Sequence, residues 1–330
     1  MVDGRSDRVT MRSMLTRNGL LALAAFALLA AAPAAPLDWA FPGSGPKAAP
    51  IPGTQTYRLP GASNSFTQAE ISDRTHAPDW LPNEHPPAPR AVLAGTAGAC
   101  GYCHLVNGAG RSENAQIRGL PVEYIEEQVH AFASGARRSA GPAYPTQYMV
   151  AAARAVSPAD LHAAAVYFAS LEPVRHAQVR EAATIPRASA EGFLYRFDTT
   201  AREPLGKRII EGATDAERHR LHDPHEQTIA YVPVGSLARG AALANHGTAG
   251  FPACTSCHTA HYIGIGGSSP TYIARQLAGF RAGTRNDPGA APMQAVAAKL
   301  TNDQILDLSA YIGSRPAWTR AEMTASMAKE

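Results

Sequence analysis

GLPVEYIEEQVHAFASGAR, residues 119–137, and GSSPTYIARQLAGFRAGTR, residues 267–285, are one pattern written twice. Gly119, Tyr124, Ile125, Gln128, Phe132, Gly135 and Arg137 return as Gly267, Tyr272, Ile273, Gln276, Phe280, Gly283 and Arg285. Tyr124, Gln128 and Phe132 follow an i, i+4, i+8 spacing, which places them on one face of a helix. Gly135 and Gly283 stand where such a helix stops. A repeat of this length predicts two structurally equivalent units within the 330-residue chain.

Working outward, the equivalence extends in both directions. Downstream, Met149 precedes Ser157 by eight residues and Tyr167 by eighteen, and Met293 precedes Thr301 and Tyr311 by the same intervals. Ser157 and Thr301 read as helix N-caps, with Pro158 at the first helical position. The final helices are expected to run to about Leu171 and Ser314. Upstream of each copy stands a C-x-x-C-H: Cys100-Gly-Tyr-Cys103-His104 and Cys254-Thr-Ser-Cys257-His258. Strand signals are weak throughout, so the expected fold class is all-α, twice over.

The two C-x-x-C-H motifs use all four cysteines of the chain. This is the attachment pattern of a c-type haem. Two thiols on one helical turn reach two edges of the flat ring, and the adjacent histidine points at its iron as proximal ligand. A zinc site tolerates paired C-x-x-C but requires no histidine after each, and a redox C-x-x-C belongs beside a βαβ pattern. The expectation is therefore two haem c groups. Cys100, Cys103, Cys254 and Cys257 supply the covalent attachment, and His104 and His258 the proximal ligands.

A second axial ligand decides between carrier and enzyme. Past residue 34 the methionines are Met149, Met293, Met323 and Met327, and the first two hold matched places in the repeat. Met149 and Met293 are the expected second ligands, with core packing the alternative. Thioether ligation closes the iron and raises its potential, which points to an electron carrier. Among the other histidines, His219, His222 and His225 have helical spacing. They read as a solvated face rather than a metal site, because no cysteine or second cluster joins them.

The ends and connections carry other signals. Arg12 and Arg17 precede the apolar run 19–32, followed by Ala32-Pro-Ala34, the pattern of a secretory signal peptide cleaved near Ala34. Residues 1–34 hold four arginines against two aspartates, so their removal takes the formal charge from +3 to +1. That balance singles out neither nucleic acid nor an anionic membrane as partner. The expected organisation is a signal peptide at 1–34, a proline-rich extended arm at 35–88, haem domain 1 at 89–175, a linker at 176–235, haem domain 2 at 236–315 and a polar tail at 316–330. The arm is expected to lie over the first haem domain, with one short helix near 67–73. Its Trp39 and Trp80 serve either as a contact for a partner or as packing on their own domain.

The order C-x-x-C-H, then a Gly- and Pro-bearing turn leading into Y-(I/L)-x-x-Q-(L/V)-x-x-F-x-x-G, then Met, then a helix with Tyr near its end, resembles the class I cytochrome c fold. Two tandem units resemble the dihaem cytochrome c4 group, over about 90–175 and 236–315. The resemblance implies thioether bonds at Cys100, Cys103, Cys254 and Cys257. It implies axial pairs His104 with Met149 and His258 with Met293. It also implies close packing of Gly95 on Tyr167 and Gly240 on Tyr311. The proline that the family places after the haem motif, whose carbonyl holds the axial histidine, is missing here, so those acceptors stay unassigned. Nine residues separate His258 from Gly267 against fifteen from His104 to Gly119, so the two haems should differ in exposure and potential.

The function this implies is a periplasmic electron carrier, not an enzyme. It would serve redox protein partners: an exported dehydrogenase or membrane cytochrome complex on one side and an oxidase or reductase on the other. Neither nucleic acid nor a small-molecule substrate is expected, and membrane contact comes only through partners. Alternatives are a haem-bearing subunit of a dehydrogenase complex, or a dihaem peroxidase or thiosulfate dehydrogenase type of enzyme.

Overall fold

The computed structural model describes residues 37–43, 49–142, 146–259 and 264–328. The chain divides into two units, Met1–Ala34 and Ala35–Glu330. All described residues belong to the second, and the expected signal peptide lies outside them.

The repeat folds as its pattern predicts. The first half contains α2 (Arg90–Leu93), α3 (Cys100–His104), α4 (Val122–Ser134), α5 (Thr146–Ala155) and α6 (Pro158–Ser170), preceded in the arm by α1 (Gln68–Ser72). The second contains α8 (Ser236–His246), α9 (Thr255–His258), α10 (Pro270–Arg281), α11 (Ala291–Ala297) and α12 (Asn302–Ser314), and α13 (Arg320–Met327) closes the chain. The predicted caps are in place. The Ser157 hydroxyl accepts from Asp160 N with Pro158 opening α6, and Thr301 forms a capping box with Gln304 at α12. Gly119 and Gly267 play one role twice, at φ +75° and +74°. Their amides donate to Phe168 O (2.9 Å) and Ile312 O (3.1 Å), locking the loop before each middle helix to the end of each final helix.

The face repeated in the sequence turns out to join the two halves. The Arg137 and Arg285 backbones form an antiparallel bridge. Arg137 Nη2 donates across to Tyr272 Oη (3.0 Å) and Gln276 Oε1 (2.8 Å). Arg285 Nη2 donates back to Tyr124 Oη (2.9 Å) and Gln128 Oε1 (3.1 Å). Both arginines are buried, so each guanidinium fork replaces its lost water with partners from the other half.

The all-α expectation is overturned. Among the described residues 42% are helical and 16% are in strands, and three sheets form. Most strand lies at 177–232, where the sequence predicted a linker. β3 (Ala177–Glu181) pairs parallel with β7 (Thr228–Val232), which pairs antiparallel with β6 (Ile210–Ala213). β4 (Thr184–Glu191) and β5 (Leu194–Pro204) form a long hairpin, and α7 (Ala216–Arg220) sits between β6 and β7. A further pair, β1 (Thr56–Tyr57) with β2 (Phe66–Thr67), belongs to the arm. The strands escape notice because they are short or carry many arginines and glutamates with few β-branched residues, and β3 finds its partner β7 only across the whole module. This β-module is built on the second half: Ala177, Ile209, Ala230 and Val232 share a core with Leu306 and Ala310 of α12.

The arm is also placed differently from expectation. Its start lies on the second half, where Leu37 and Ala40 join the core of Ile273, Leu277 and Ile305, and Arg275 Nε donates to Ala40 O (2.6 Å). Its later part is bonded to the first half: Ala77 N donates to Leu93 O (2.9 Å) and Ala99 N to Arg74 O (2.9 Å). The expected short helix is α1, closed by a capping box of Thr67 and Glu70. Trp80 is buried and donates to Leu221 O (2.8 Å), so it packs within its own chain. None of the described helices is long and apolar enough to cross a membrane.

Candidate haem sites

Each C-x-x-C-H forms a one-turn helix, α3 or α9, as its spacing requires. Immediately after each histidine the chain turns through a conformation that side chains rarely adopt: Leu105 at φ 60° and Thr259 at φ 55°. Backbone strain at matched places is a signature of a functional constraint. Behind His104 it opens a turn, in which Gly108 N donates to Leu105 O (3.0 Å).

His104 is held from behind. Its Nδ1 lies 2.7 Å from Ala115 O, which fixes Nδ1–H as the donor and leaves Nε2 as the coordinating nitrogen. Burial pushes the imidazole pKa down, favouring the neutral ring that a metal requires. The carbonyl that sequence alone left unassigned thus belongs to Ala115. A backbone acceptor leaves no signal in residue type. Behind His258 the chain runs into residues 260–263, which lie outside the described residues.

Burial, the larger cause, pushes the Cys100 and Cys103 thiols up to about 11. A reactive dithiol needs a depressed pKa, so this environment does not suit a redox pair. Among the described residues no group of three or more His, Cys, Asp or Glu could hold a metal ion, so the cysteines do not converge on a zinc site. The donor set that fits is the haem set: two thiols on one turn, and a histidine whose far nitrogen is already engaged.

Met149 and Met293 fall in the first turn of α5 and α11, not in loops. Both are partly buried. Met293 packs beside Phe280, Ala290 and Ala297. The Arg74 guanidinium stacks 3.9 Å over the ring of Tyr148, next to Met149. Of the two close packings, Gly240 behaves as expected: a Cβ there would stand 2.6 Å from Tyr311 Cβ and 2.1 Å from Asp307 O. Gly95 does not. A Cβ there would meet Gly98 O at 2.5 Å, within its own loop. Prolines before Arg90 and glycines after Leu93 cut α2 to one turn, so Gly95 falls beyond the helix that would have presented it. Tyr167 reaches instead to Val106 O (2.9 Å).

The histidine cluster is the largest departure. His219 and His222 are buried rather than solvated. His222 Nδ1 lies 2.9 Å from Tyr102 O, inside the first motif, and its ring sits 4.4 Å from that of Tyr102. His219 stands between Glu226 (3.0 Å) and Glu113 (3.5 Å). Arg111 pairs with Glu113 at 3.4 Å. Burial raises the Glu113 pKa, but Arg111 and His219 overcome it and hold the carboxyl well below its ordinary range. Burial and Arg111 lower the His219 pKa, and its two carboxylates more than compensate. Periodicity showed the spacing of these histidines but not that a module from the other half carries them to the haem motif.

No family model matches the sequence. A cytochrome c4 of Pseudomonas aeruginosa is 45% identical over 87 residues, which is 23% of this chain and 43% of that protein. A cytochrome c4 of Azotobacter vinelandii is 41% identical over 86 residues, 23% of this chain and 39% of that protein. The matches thus span less than half the length of these relatives. A protein of Thiomonas intermedia described as a thiosulfate dehydrogenase electron acceptor is 25% identical over 239 residues, 70% of this chain and 84% of that protein. A crystal structure of cytochrome c4 from Pseudomonas stutzeri aligns at a TM-score of 0.43 with 24% identity, covering 66% of this chain and 93% of its own. The sequence relatives and the two C-x-x-C-H motifs make this a dihaem cytochrome c4-like chain with two haem c groups as its cofactors.

Proposed function

We propose that this dihaem, cytochrome c4-like chain carries single electrons outside the cytoplasm, accepting them from a dehydrogenase or membrane cytochrome complex and delivering them to an oxidase or reductase. The observation that carries this reading is the matched set in each half: a C-x-x-C-H turn, then a methionine at an equal distance before the capped final helix. Cys100 and Cys103 would hold one haem, and Cys254 and Cys257 the other. His104 with Met149 would ligate the iron of the first, and His258 with Met293 that of the second. When bound, the iron of each haem supplies a one-electron ferric/ferrous couple. The chain's own part is to keep His104 neutral and oriented through Ala115, to bring a thioether to each iron, and to fix the two halves together through Arg137 and Arg285. A site closed on both faces leaves no place for peroxide, and a spare cysteine ligand is lacking among the four.

A second reading, an electron-accepting subunit docked on a dehydrogenase, is supported by the relative described as a thiosulfate dehydrogenase electron acceptor. Co-purification with such an enzyme separates a docked subunit from a free shuttle. Export rests on residues 12–34 and is tested by the N-terminus of the mature protein, expected near Ala35.

Axial ligation is tested in the oxidised holoprotein, where thioether-bound low-spin haem shows a weak sulfur-to-iron band at the red end of the spectrum. Met149→Ala and Met293→Ala should each remove part of that band, and together all of it. An intact band in both variants overturns the ligand assignment.

A further inference from the structure

The two motifs are treated unequally by the rest of the chain. α3 is a single turn, so its carbonyls lack helical partners. One of them, Tyr102 O, accepts from His222 Nδ1 at 2.9 Å. The segment that presents His222 is fastened on every side. Arg111 Nη2 donates to His219 O (2.6 Å), Asn107 Nδ2 to Pro224 O (3.0 Å) and Trp80 Nε1 to Leu221 O (2.8 Å). His222 itself sits at φ +56°, where an imidazole costs backbone energy that glycine would not. It is 6% exposed, and burial keeps its pKa well below the ordinary value, so the neutral ring donates from Nδ1. At α9, by contrast, Ser256 and Cys257 are exposed.

We propose that the β-module is a clamp on the first C-x-x-C-H, with His222 as its positioning residue, and that it makes the first haem the more enclosed and the higher in potential of the pair. The proposal rests on the His/Met dihaem reading above. Water stabilises the oxidised haem, which carries one more positive charge than the reduced form, so enclosure favours reduction. The charges nearest the clamp do not reverse this, because Arg111 and Glu113 pair at 3.4 Å and largely cancel. The second haem, on the more open motif, is then the one that meets partners at lower potential.

The test is a spectroelectrochemical titration of the holoprotein. Met149→His exchanges the expected first-haem ligand for one that lowers the potential, so the wave it displaces identifies the first haem. In the wild type that wave should be the higher of two. His222→Gly relieves the backbone and deletes the donor, and should lower the first wave while leaving the second in place. His222→Asn keeps a donor near the Nδ1 position in a residue that tolerates positive φ, and should hold the wild-type value. Asn107→Ala, which unfastens Pro224 and also removes the acceptor of Ala109 N (3.1 Å) while leaving the His222 donor in place, should shift the same wave by less. A first wave lower than the second, a first wave unmoved by His222→Gly, or equal displacement of both waves overturns the proposal. Failure of the underlying reading looks different: Met149→His would displace neither wave.

Discussion

At the scale of single residues, the haem motifs show how a short pattern constrains its surroundings. After Cys-x-x-Cys-His the chain must turn at once, and both copies do so through a residue with positive φ, Leu105 or Thr259. Leu105 is buried and packs where it strains. Thr259 is exposed, so its conformation brings no compensating burial. Its φ of 55° with ψ of −179° is a region that glycine occupies freely. Thr259→Gly should therefore stabilise the protein by about 1 kcal/mol, read as a higher denaturant midpoint. A lower midpoint would mean that the threonine makes contacts worth more than its strain. His104 illustrates the complementary case, in which the partner that matters, Ala115 O, has no side-chain signature.

At the scale of elements, equivalent helices are packed by different means. α8 crosses α12 with backbone against backbone, because Gly240 presents no side chain to Asp307 and Tyr311. Arg239 then reaches both Asp307 carboxylate oxygens, at 2.8 and 2.9 Å. Gly240→Ala places a methyl 2.1 Å from Asp307 O, which a rigid backbone cannot absorb. The helices must separate, at about 1–3 kcal/mol, although alanine favours a helix more than glycine does. Thermal denaturation should show the loss, and an unchanged melting point would mean that α8 slides freely on α12. Gly95→Ala should leave α2 and α6 in place, because Gly95 lies in the loop beyond α2 and not between the helices. α2 is held instead by the arm, whose residues 74–77 bond to the backbone at 93–99.

At the scale of the whole molecule, the two halves are coupled by the Tyr124, Gln128, Arg137, Tyr272, Gln276 and Arg285 network and by the β-module, which rests on one half and grips the other. That grip is ionic and buried, so stability should depend on pH. Glu113 and Glu211 are held below their ordinary 4.5 despite burial, by Arg111 with His219 and by His176 respectively. Their contribution is present above pH 4.5 and is lost as pH falls through their folded values. His219 and His176 are raised above 6.5 by their carboxylates against burial. Their contribution is full below pH 6.5 and fades as pH rises through their folded values. His222, buried neutral, works the other way and subtracts stability below 6.5. The melting point should therefore fall steeply on acidification below about pH 4.5, and Glu113→Gln should flatten that acid limb. An unaltered limb would place the acid sensitivity elsewhere. The sequence by itself determined the local and periodic features: the two attachment motifs, the duplicated helices with their caps, and the matched methionines. Each depends on residue type at short spacing. The tertiary structure alone decided that the repeated helix face joins the halves, that Ala115 supports His104, and that 177–232 is a β-module bringing His222 to Tyr102. Those features depend on which backbone groups and side chains meet, from eleven residues apart at His104 and Ala115 to 120 at His222 and Tyr102, and no local preference for one conformation encodes such a meeting.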